Sequence, residues 1–187
     1  MCSINFLILS SILLINCGSP ARKTTSYPYI RFTAMKCLSS SKSVSSFDCY
    51  VKAYSRTNTT MNVFVNLTRP IFAAKARYDL TYKYLTNSQR SIINSTLEIC
   101  EFLNGTSANP VFKWIVGFMK NFDQMLHACP YTGNLIFKDL SVDIKQFVSA
   151  FPSGVYMTIM KFFDDVDENI MTLKFSQDLI SKDRETF

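Results

Sequence analysis

The pattern of apolar and polar residues along the chain is mostly the two-residue alternation of β-strands. In the segment 61–68 the apolar residues fall at every second position, namely Met61, Val63, Val65 and Leu67. Successive side chains of a strand point to opposite faces, so this segment predicts a strand with one buried face. Asn66 then lies on the outer face, and Phe64 indicates that this face is covered as well. Residues 78–84 alternate equally well.

Further strands are predicted between turn signals, at Tyr29–Lys36, Phe47–Arg56, Thr96–Leu103, Leu135–Val142, Val155–Phe163 and Ile170–Ser176. The turn signals are Asn58, Asn87, Tyr131–Asn134 and Pro152–Gly154. Roughly eight strands without a βαβ alternation favour a mainly all-β fold, a two-sheet immunoglobulin-like antiparallel β-sandwich.

One segment, about residues 109–127, has helical spacing and is expected to be a helix inserted in this sandwich. Asn109 suits the N-cap and Pro110 the first helical position. Apolar residues then recur at helical spacing, at Val111, Trp114, Ile115, Phe118, Phe122, Met125 and Leu126, and the surface is widened by Phe112, Val116 and Met119. A helix that is apolar on most sides must be covered by protein, membrane or ligand. On the residues alone, packing against the sheet is the simplest interpretation.

The first residues predict a secretory signal peptide. Phe6–Ile15 is apolar apart from two serines, and no charged side chain precedes Arg22. A membrane-spanning helix needs about 20 apolar residues, whereas the small residues around Gly18 suit cleavage by signal peptidase. We therefore expect a signal peptide at 1–18, a lead-in at 19–28, one domain at 29–178 and a polar tail at 179–187, in a secreted, extracellular protein.

Four cysteines remain after such a cleavage, and they are Cys37, Cys49, Cys100 and Cys129. An even number of cysteines in an oxidising compartment is typical of disulfide bonds, and four cysteines allow three pairings. Cys37–Cys49 and Cys100–Cys129 are favoured because each pair closes a single supersecondary unit. The serine-rich segment Ser39–Ser46 is then the loop of a hairpin between Cys37 and Cys49.

The remaining composition agrees with a secreted domain. N-glycosylation acceptors stand at Asn58, Asn66, Asn94 and Asn104. The chain is 48% hydrophobic with 16 Phe, so it can form a real core. Its formal charge of +6 comes without any Lys/Arg cluster longer than Arg22–Lys23. We interpret the charge as a solvated surface and expect no nucleic-acid binding.

The sequence contains no recognisable catalytic machinery. His127 is the only histidine, no Cys-x-x-Cys occurs, and the five glycines are isolated, so neither a metal site nor a phosphate-binding loop is indicated. The acidic run Asp164–Glu168 lacks the spacing of a calcium loop and is interpreted as a solvated hairpin turn. We expect no enzyme activity, no cofactor and no metal.

Several short segments together carry a family resemblance. They are Phe32–Cys37, Arg90, Asn94–Thr96, Cys100–Leu103, Asn109–Phe112, His127–Tyr131 and Phe151–Tyr156. In this order and with the four cysteines, over about residues 29–176, they resemble an insect family of small secreted proteins, largely of unknown function. That family is similar to the CheB-type chemosensory proteins and to the ML-type lipid-recognition proteins, which include ganglioside activators and sterol carriers.

The resemblance implies a sandwich with an apolar cavity between its sheets, which accepts lipid tails or hydrophobic signals such as cuticular pheromones. The helix would then form one wall or lid of the cavity. Its candidate ligand-pocket residues are Trp114, Ile115, Phe118, Met119, Phe122 and Met125.

Two hypotheses on function follow. In the first, the protein is a secreted binder or carrier of a lipid or hydrophobic small molecule, with a role in chemosensory perception. In the second, it is an extracellular interaction module with a solid core that acts through a protein receptor on a membrane. The residues do not decide between them, because a hollow core and a filled core require the same apolar side chains.

Overall fold

The computed structural model describes residues 28–84, 88–143 and 151–180. The expected signal peptide at 1–18, the lead-in up to residue 27, the turn at Asn87 and the tail from residue 181 lie outside the described residues. The strands are β1 (Tyr29–Leu38), β2 (Val44–Ala53), β3 (Thr59–Leu67), β4 (Lys75–Lys83), β5 (Gln89–Glu98), β6 (Met119–Lys120), β7 (Asn134–Val142), β8 (Gly154–Phe163) and β9 (Asn169–Ile180). The helices are α1 (Ile99–Leu103) and α2 (Pro110–Phe118), with a 3₁₀ turn at Phe122–Met125.

The strands form two antiparallel sheets packed face to face. The five-stranded sheet has the order β1-β9-β8-β4-β5, and the four-stranded sheet has the order β2-β3-β7-β6. Every pairing is antiparallel. The predicted immunoglobulin-like β-sandwich is therefore confirmed for the part of the chain that the structure describes.

The core lies between the sheets because the inner faces of their strands are apolar. The four alternating residues of β3, from Met61 to Leu67, are all buried, as predicted. Phe32, Leu173 and Phe175 cover them from the opposite sheet within the same apolar cluster. On the outer side of β3, Phe64 stacks on Tyr50 with ring centroids 6.0 Å apart.

Two disulfides tie this sandwich together, and both have the pairing favoured above. Cys37 on β1 bonds Cys49 on β2. The predicted hairpin between these cysteines is wrong, because β1 pairs with β9 and β2 with β3 in the other sheet, so this bond joins the two layers. Cys100 in α1 bonds Cys129, which lies just before β7.

The strand predicted over Thr96–Leu103 is wrong in its second half. β5 ends at Glu98, and Ile99–Leu103 forms α1. The Ile99 amide donates to the carbonyl of Ala74 at 2.7 Å, and the Ala74 amide in turn donates to the Cys100 sulfur at 3.4 Å. These contacts with the start of β4 turn the chain away from the sheet before the alternation of β5 can continue.

The predicted helix is right at its start and wrong at its end. Asn109 caps α2, its side chain accepting from the Phe112 amide at 3.1 Å, and Pro110 occupies the first turn. The helix ends at Phe118 instead of residue 127, because Met119 pairs with Val142 as the short edge strand β6. Asn121 then adopts a left-handed conformation (φ 60°), which a continuing helix does not allow. None of the described helices is long and apolar enough to span a membrane.

The acidic run Asp164–Glu168 is a hairpin turn, but it is not fully solvated as expected. The Asp164 side chain is completely buried and forms an ion pair with Arg69. Its carboxylate also accepts from the amides of Val166 at 3.1 Å and Glu168 at 2.8 Å. Beyond this turn, β9 continues through Leu179 and Ile180, two residues past the expected domain end.

Candidate functional site

A cavity of about 80 Å³ lies between the two sheets. The four-stranded sheet contributes Phe47, Met61, Val63, Val65, Phe137, Leu140 and Val142 to its wall, and Met119 of β6 joins them. The five-stranded sheet contributes Ile30, Phe32, Met35, Tyr78, Met160, Phe162, Met171, Leu173, Phe175 and Gln177. The side near α2 is formed by Phe112, Ile115 and Phe122.

Two irregularities in the strands add to this apolar wall. The register of β1 against β9 shifts between Phe32 and Ala34, so Phe32 and Met35 both line the cavity although they are three residues apart. The register of β7 against β3 shifts in the same way between Phe137 and Leu140. An extra residue in a strand reverses which side chains face inward, and this lets each strand present both apolar residues to the interior.

The bulge in β7 is held by polar contacts on the outside of the sheet. Asp139 adopts φ 54° within it. Its carboxylate accepts from the hydroxyls of Tyr54 at 2.8 Å and Thr60 at 3.0 Å, and its amide donates to Asn62 Oδ1 at 3.2 Å. These hydrogen bonds, together with the charge of Lys52, hold the pKa of Asp139 below its usual value. They fix the register that turns Leu140 toward the cavity.

A second cavity of about 60 Å³ adjoins the first toward α1. The residues common to both walls form the partition between them, and they are Phe112, Phe122, Phe137, Met160, Phe162 and Met171. Ile99, Leu103 and Tyr131 are among the residues that line only the second cavity. No Lys, Arg, Asp, Glu or His is among the described residues that line either cavity.

Both cavities are larger than the space that one water molecule needs. One water needs about 10–15 Å³ of such space, and apolar cavities stay dry and take up apolar molecules. Leaving apolar space empty costs stability, by about 24 cal/mol per Å³ in core-truncation series. An apolar molecule that fills the space recovers the dispersion contacts that the walls lack.

Methionines make up an unusual share of the wall. Five of the eight methionines of the chain line the larger cavity, namely Met35, Met61, Met119, Met160 and Met171. A methionine side chain is unbranched and polarizable, so it can adapt to irregular shapes. Walls of this kind suit a flexible apolar guest better than a rigid one.

The polar groups at the larger cavity are few, and they follow one diagonal of the five-stranded sheet. Tyr78 on β4 and Gln177 on β9 line the cavity, with the fully buried Thr158 of β8 between them. Burial raises the pKa of Tyr78 to about 12. The nearby Thr158 hydroxyl acts in the opposite direction and lowers the pKa of Tyr78, although its geometry falls short of a hydrogen bond.

The structure brings three of the six candidate pocket residues to the cavity. Ile115, Met119 and Phe122 line it. Trp114 is 37% exposed and packs on Phe151 at 5.7 Å, on the other side of α2. The side chains of Phe118 and Met125 lie outside what the structure describes.

Sequence reasoning missed most of the wall. The residues of β1, β3, β7, β8 and β9 that line the cavity were predicted only as buried strand faces, and Gln177 lies just beyond the predicted end of the last strand. Periodicity could identify the inward faces, but nothing in it separates a wall from a packed core. Among the described residues, no group of three or more His, Cys, Asp or Glu side chains is placed to hold a metal ion.

The glycosylation acceptors stand away from the cavities. Asn58, Asn94 and Asn104 are exposed, and Asn66 is partly buried on the outer side of β3. None of the four lines a cavity. A glycan at these positions would therefore leave the cavity itself unobstructed, and glycosylation stays a prediction.

Comparisons with known proteins give limited similarities. Several solved structures are similar to this chain, including the following two. One is titled the crystal structure of chicken MD-1 complexed with lipid IVa, with a TM-score of 0.38 and 9% identity over 78% of this chain and 97% of that chain. The other is a Niemann-Pick type C2 protein from Japanese carpenter ant, with a TM-score of 0.31 and 13% identity over 81% of this chain and 92% of that chain.

At the level of sequence, no curated protein matches the chain. Residues 76–158, which run from β4 into β8, match the model of a family described as a protein of unknown function (DUF1091). The central part of the chain is thus similar to this family.

Proposed function

We propose that this protein binds a lipid or another hydrophobic small molecule between its two sheets and carries it in the extracellular space. The observation that carries this proposal is the apolar, methionine-rich cavity without a charged lining residue. Burial of apolar surface contributes about 25 cal/mol per Å², so a long aliphatic molecule could be held without any specific polar contact. The protein would act by burial and presentation of its ligand, without catalysis.

The extracellular setting is supported by two features of the chain. The apolar run Phe6–Ile15 has the length of a signal-peptide core. The disulfides Cys37–Cys49 and Cys100–Cys129 are typical of an oxidising compartment. The finer proposal, that the ligand is a chemosensory signal such as a pheromone, rests only on the resemblance of the sequence to CheB-type proteins.

The alternative of a solid core that acts only through a protein receptor is less well supported. Protein interiors are packed as densely as organic crystals, with few voids larger than a water molecule. Two adjoining apolar cavities of about 80 and 60 Å³ depart from such packing at the centre of the sandwich. Contact with a receptor remains compatible with ligand binding, but it does not account for the cavities.

Native mass spectrometry on protein secreted from insect cells, followed by solvent extraction, tests the proposal. We expect a co-purifying hydrophobic molecule on the wild type. Val63→Phe, which places a ring in the cavity, should lose it. Val166→Phe makes the same change at a residue that is 74% exposed and should retain it.

A homogeneous mass of the bare chain would count against the proposal if it stayed unchanged after exposure to a panel of hydrocarbons, fatty alcohols and sterols. Equal loss of ligand in Val63→Phe and Val166→Phe would mean that the ligand is not held in the cavity.

A further inference from the structure

The inner face of β9 carries one polar side chain in an otherwise apolar row. Met171, Leu173, Phe175 and Gln177 line the cavity in succession at every second position. Gln177 is only 7% exposed. Within the residues that the structure describes, its side-chain amide takes part in no hydrogen bond, in contrast to the great majority of buried polar groups in proteins.

The Gln177 amide needs a hydrogen-bond partner. Its nitrogen and oxygen are not among the fully buried polar atoms without a partner, so they keep contact with open space where the residue lines the cavity. A donor and an acceptor at an apolar wall, away from bulk water, are costly unless a partner satisfies them. An apolar side chain of similar size would avoid this cost, and the other cavity-lining residues of β9 are all apolar. The amide is therefore best explained by a partner that enters the cavity.

The surroundings of Gln177 specify the charge of that partner. The next residue along β9, Asp178, belongs to the other face of the strand and is already paired with Arg31. No charged side chain is among the described residues that line the cavity. A carboxylate or phosphate buried beside Gln177 would lack a counter-ion, and isolated buried charges are strongly disfavoured.

The neighbouring polar groups on the diagonal are neutral as well. Thr158 pairs with Phe175 on β9 and with Leu80 on β4, which places it one diagonal step from Gln177 and one from Tyr78. Diagonal neighbours in an antiparallel sheet lie about 7–8 Å apart. The row Tyr78–Thr158–Gln177 can thus offer hydroxyl and amide groups to a ligand, but no charge.

We infer that the natural ligand is a neutral, long-chain molecule with a hydrogen-bonding oxygen, such as a fatty alcohol, ketone or ester, and that Gln177 binds this oxygen. The inference rests on the proposed function and names its ligand class. Plain hydrocarbons lack the oxygen, and ionised fatty acids carry a charge that the cavity does not neutralise. Because a glutamine amide both donates and accepts, it matches a hydroxyl as well as a carbonyl.

Displacement of a fluorescent apolar probe by dodecanol, dodecane and dodecanoate at neutral pH tests this inference. The three molecules share one chain length and differ only at the end group. We expect the wild type to bind dodecanol about ten-fold more tightly than dodecane, the effect of one hydrogen bond, and to bind dodecanoate weakest. Gln177→Leu, which keeps the size of the side chain, should lose this preference while its affinity for dodecane is unchanged or higher.

Two control variants separate Gln177 from its surroundings. Thr172→Val removes another buried polar group of β9, one that lies outside the cavity lining, and should keep the preference for dodecanol. Tyr78→Phe removes the hydroxyl of the other polar residue that lines the cavity and should keep most of the preference for dodecanol. Loss of the preference in Thr172→Val, or in Tyr78→Phe but not in Gln177→Leu, would overturn the assignment to Gln177.

The outcomes also separate this inference from the proposed function. If the wild type binds dodecanol and dodecane equally, the cavity binds apolar chains and the inference about the oxygen is wrong. If it prefers dodecanoate, the neutrality of the site is wrong. If none of the three displaces the probe, the proposed function fails together with the inference.

Discussion

Gly154 lies directly against the ring of Tyr82. A Cβ atom at position 154 would be 2.5 Å from Tyr82 Cε2 and 2.6 Å from its hydroxyl oxygen. The ring is held in place by edge-on contacts with Tyr84 and Tyr156, at 4.7 and 5.0 Å between centroids. Its hydroxyl donates to the Ser153 carbonyl at 3.2 Å. The start of β8 therefore has room for glycine alone. This explains the glycine in the segment Phe151–Tyr156, one of the segments that carry the family resemblance.

We expect Gly154→Ala to lower the free energy of unfolding by about 1–3 kcal/mol, since overpacking forces a well-held ring to move. The reduced entropy of the unfolded chain opposes this by only about 0.4–1 kcal/mol. Urea unfolding of the secreted protein measures the difference. Gly117→Ala is the matched control, because a Cβ in α2 at this position meets open space. It should raise the stability by about 0.5–1 kcal/mol. Equal stability of the two variants would contradict the packing described for Tyr82.

The buried carboxylate of Asp164 gives a second prediction. Asp164→Ala removes the partner of Arg69 and leaves the amides of Val166 and Glu168 without an acceptor. We expect a loss of about 2–3 kcal/mol in the free energy of unfolding, measured by urea denaturation. The neighbouring Asp165 is partly exposed and lies 3.4 Å from the same guanidinium. Asp165→Ala should cost less than about 1 kcal/mol. A similar loss in both variants would mean that Asp164 does not organise the turn.

The buried tyrosines predict a loss of stability at high pH. Burial raises the pKa of Tyr78 to about 12, whereas a tyrosine of the unfolded chain titrates near 10. Between these values the unfolded state releases the proton and the folded state keeps it, so stability falls as the pH rises. The contribution of Tyr78 to the free energy of unfolding is complete below about pH 10 and is on the order of 3 kcal/mol.

Urea unfolding at about pH 8 and about pH 11 checks this sign. We expect a smaller decrease between the two conditions for Tyr78→Phe than for the wild type. A residual decrease should remain in the variant, because burial also raises the pKa of Tyr131 to about 12. Phenolate absorbance of the folded protein provides a second reading, in which Tyr78→Phe should lose one late-titrating group. Identical alkaline profiles of the two proteins would show that Tyr78 ionises as freely in the folded state as in the unfolded one.

The sequence predicted the sandwich because its strongest signals are local. Alternation over Met61–Leu67 fixes which face of β3 is buried, and the Asn109–Pro110 pair fixes where α2 begins. The end of α2 could not be predicted, because it depends on the pairing of Met119 with Val142, a residue far along the chain. The apolar pattern of Trp114 and Ile115 is equally compatible with either residue facing inward.

The candidate site was predictable only in part for a related reason. Helical periodicity together with the family resemblance pointed to Ile115, Met119 and Phe122, but most of the cavity wall comes from strands, where the same alternation describes a filled core and a hollow one. The bulges that turn Met35 and Leu140 inward arise from register shifts between strands. Gln177 carries no local signal either, because a glutamine near the end of a strand is ordinarily an exposed residue.

The partition between the two cavities predicts how chain length is selected. Phe112 belongs to both walls, and its ring packs edge-on against Phe102 at 4.9 Å and Phe122 at 6.3 Å. Phe112→Ala should open the larger cavity into the smaller one. Hexadecanol has four more CH₂ groups than dodecanol, and each one that becomes buried contributes about 0.8 kcal/mol. With about two of them buried in the smaller cavity, the variant should favour hexadecanol over dodecanol more strongly than the wild type does, by about ten-fold in the ratio of affinities.

Measuring both alcohols on the same variant removes the effect of its lower stability, since any loss of folded protein weakens both affinities equally. Phe102→Ala is the matched control. It removes the Phe102 ring, which packs against Phe112 but lines neither cavity, and it should leave the ratio of affinities unchanged. An unchanged ratio in Phe112→Ala would mean that a chain already passes from one cavity into the other in the wild type, with the Phe112 ring displaced by the ligand. A changed ratio in both variants would assign the effect to the packing of α1 against α2.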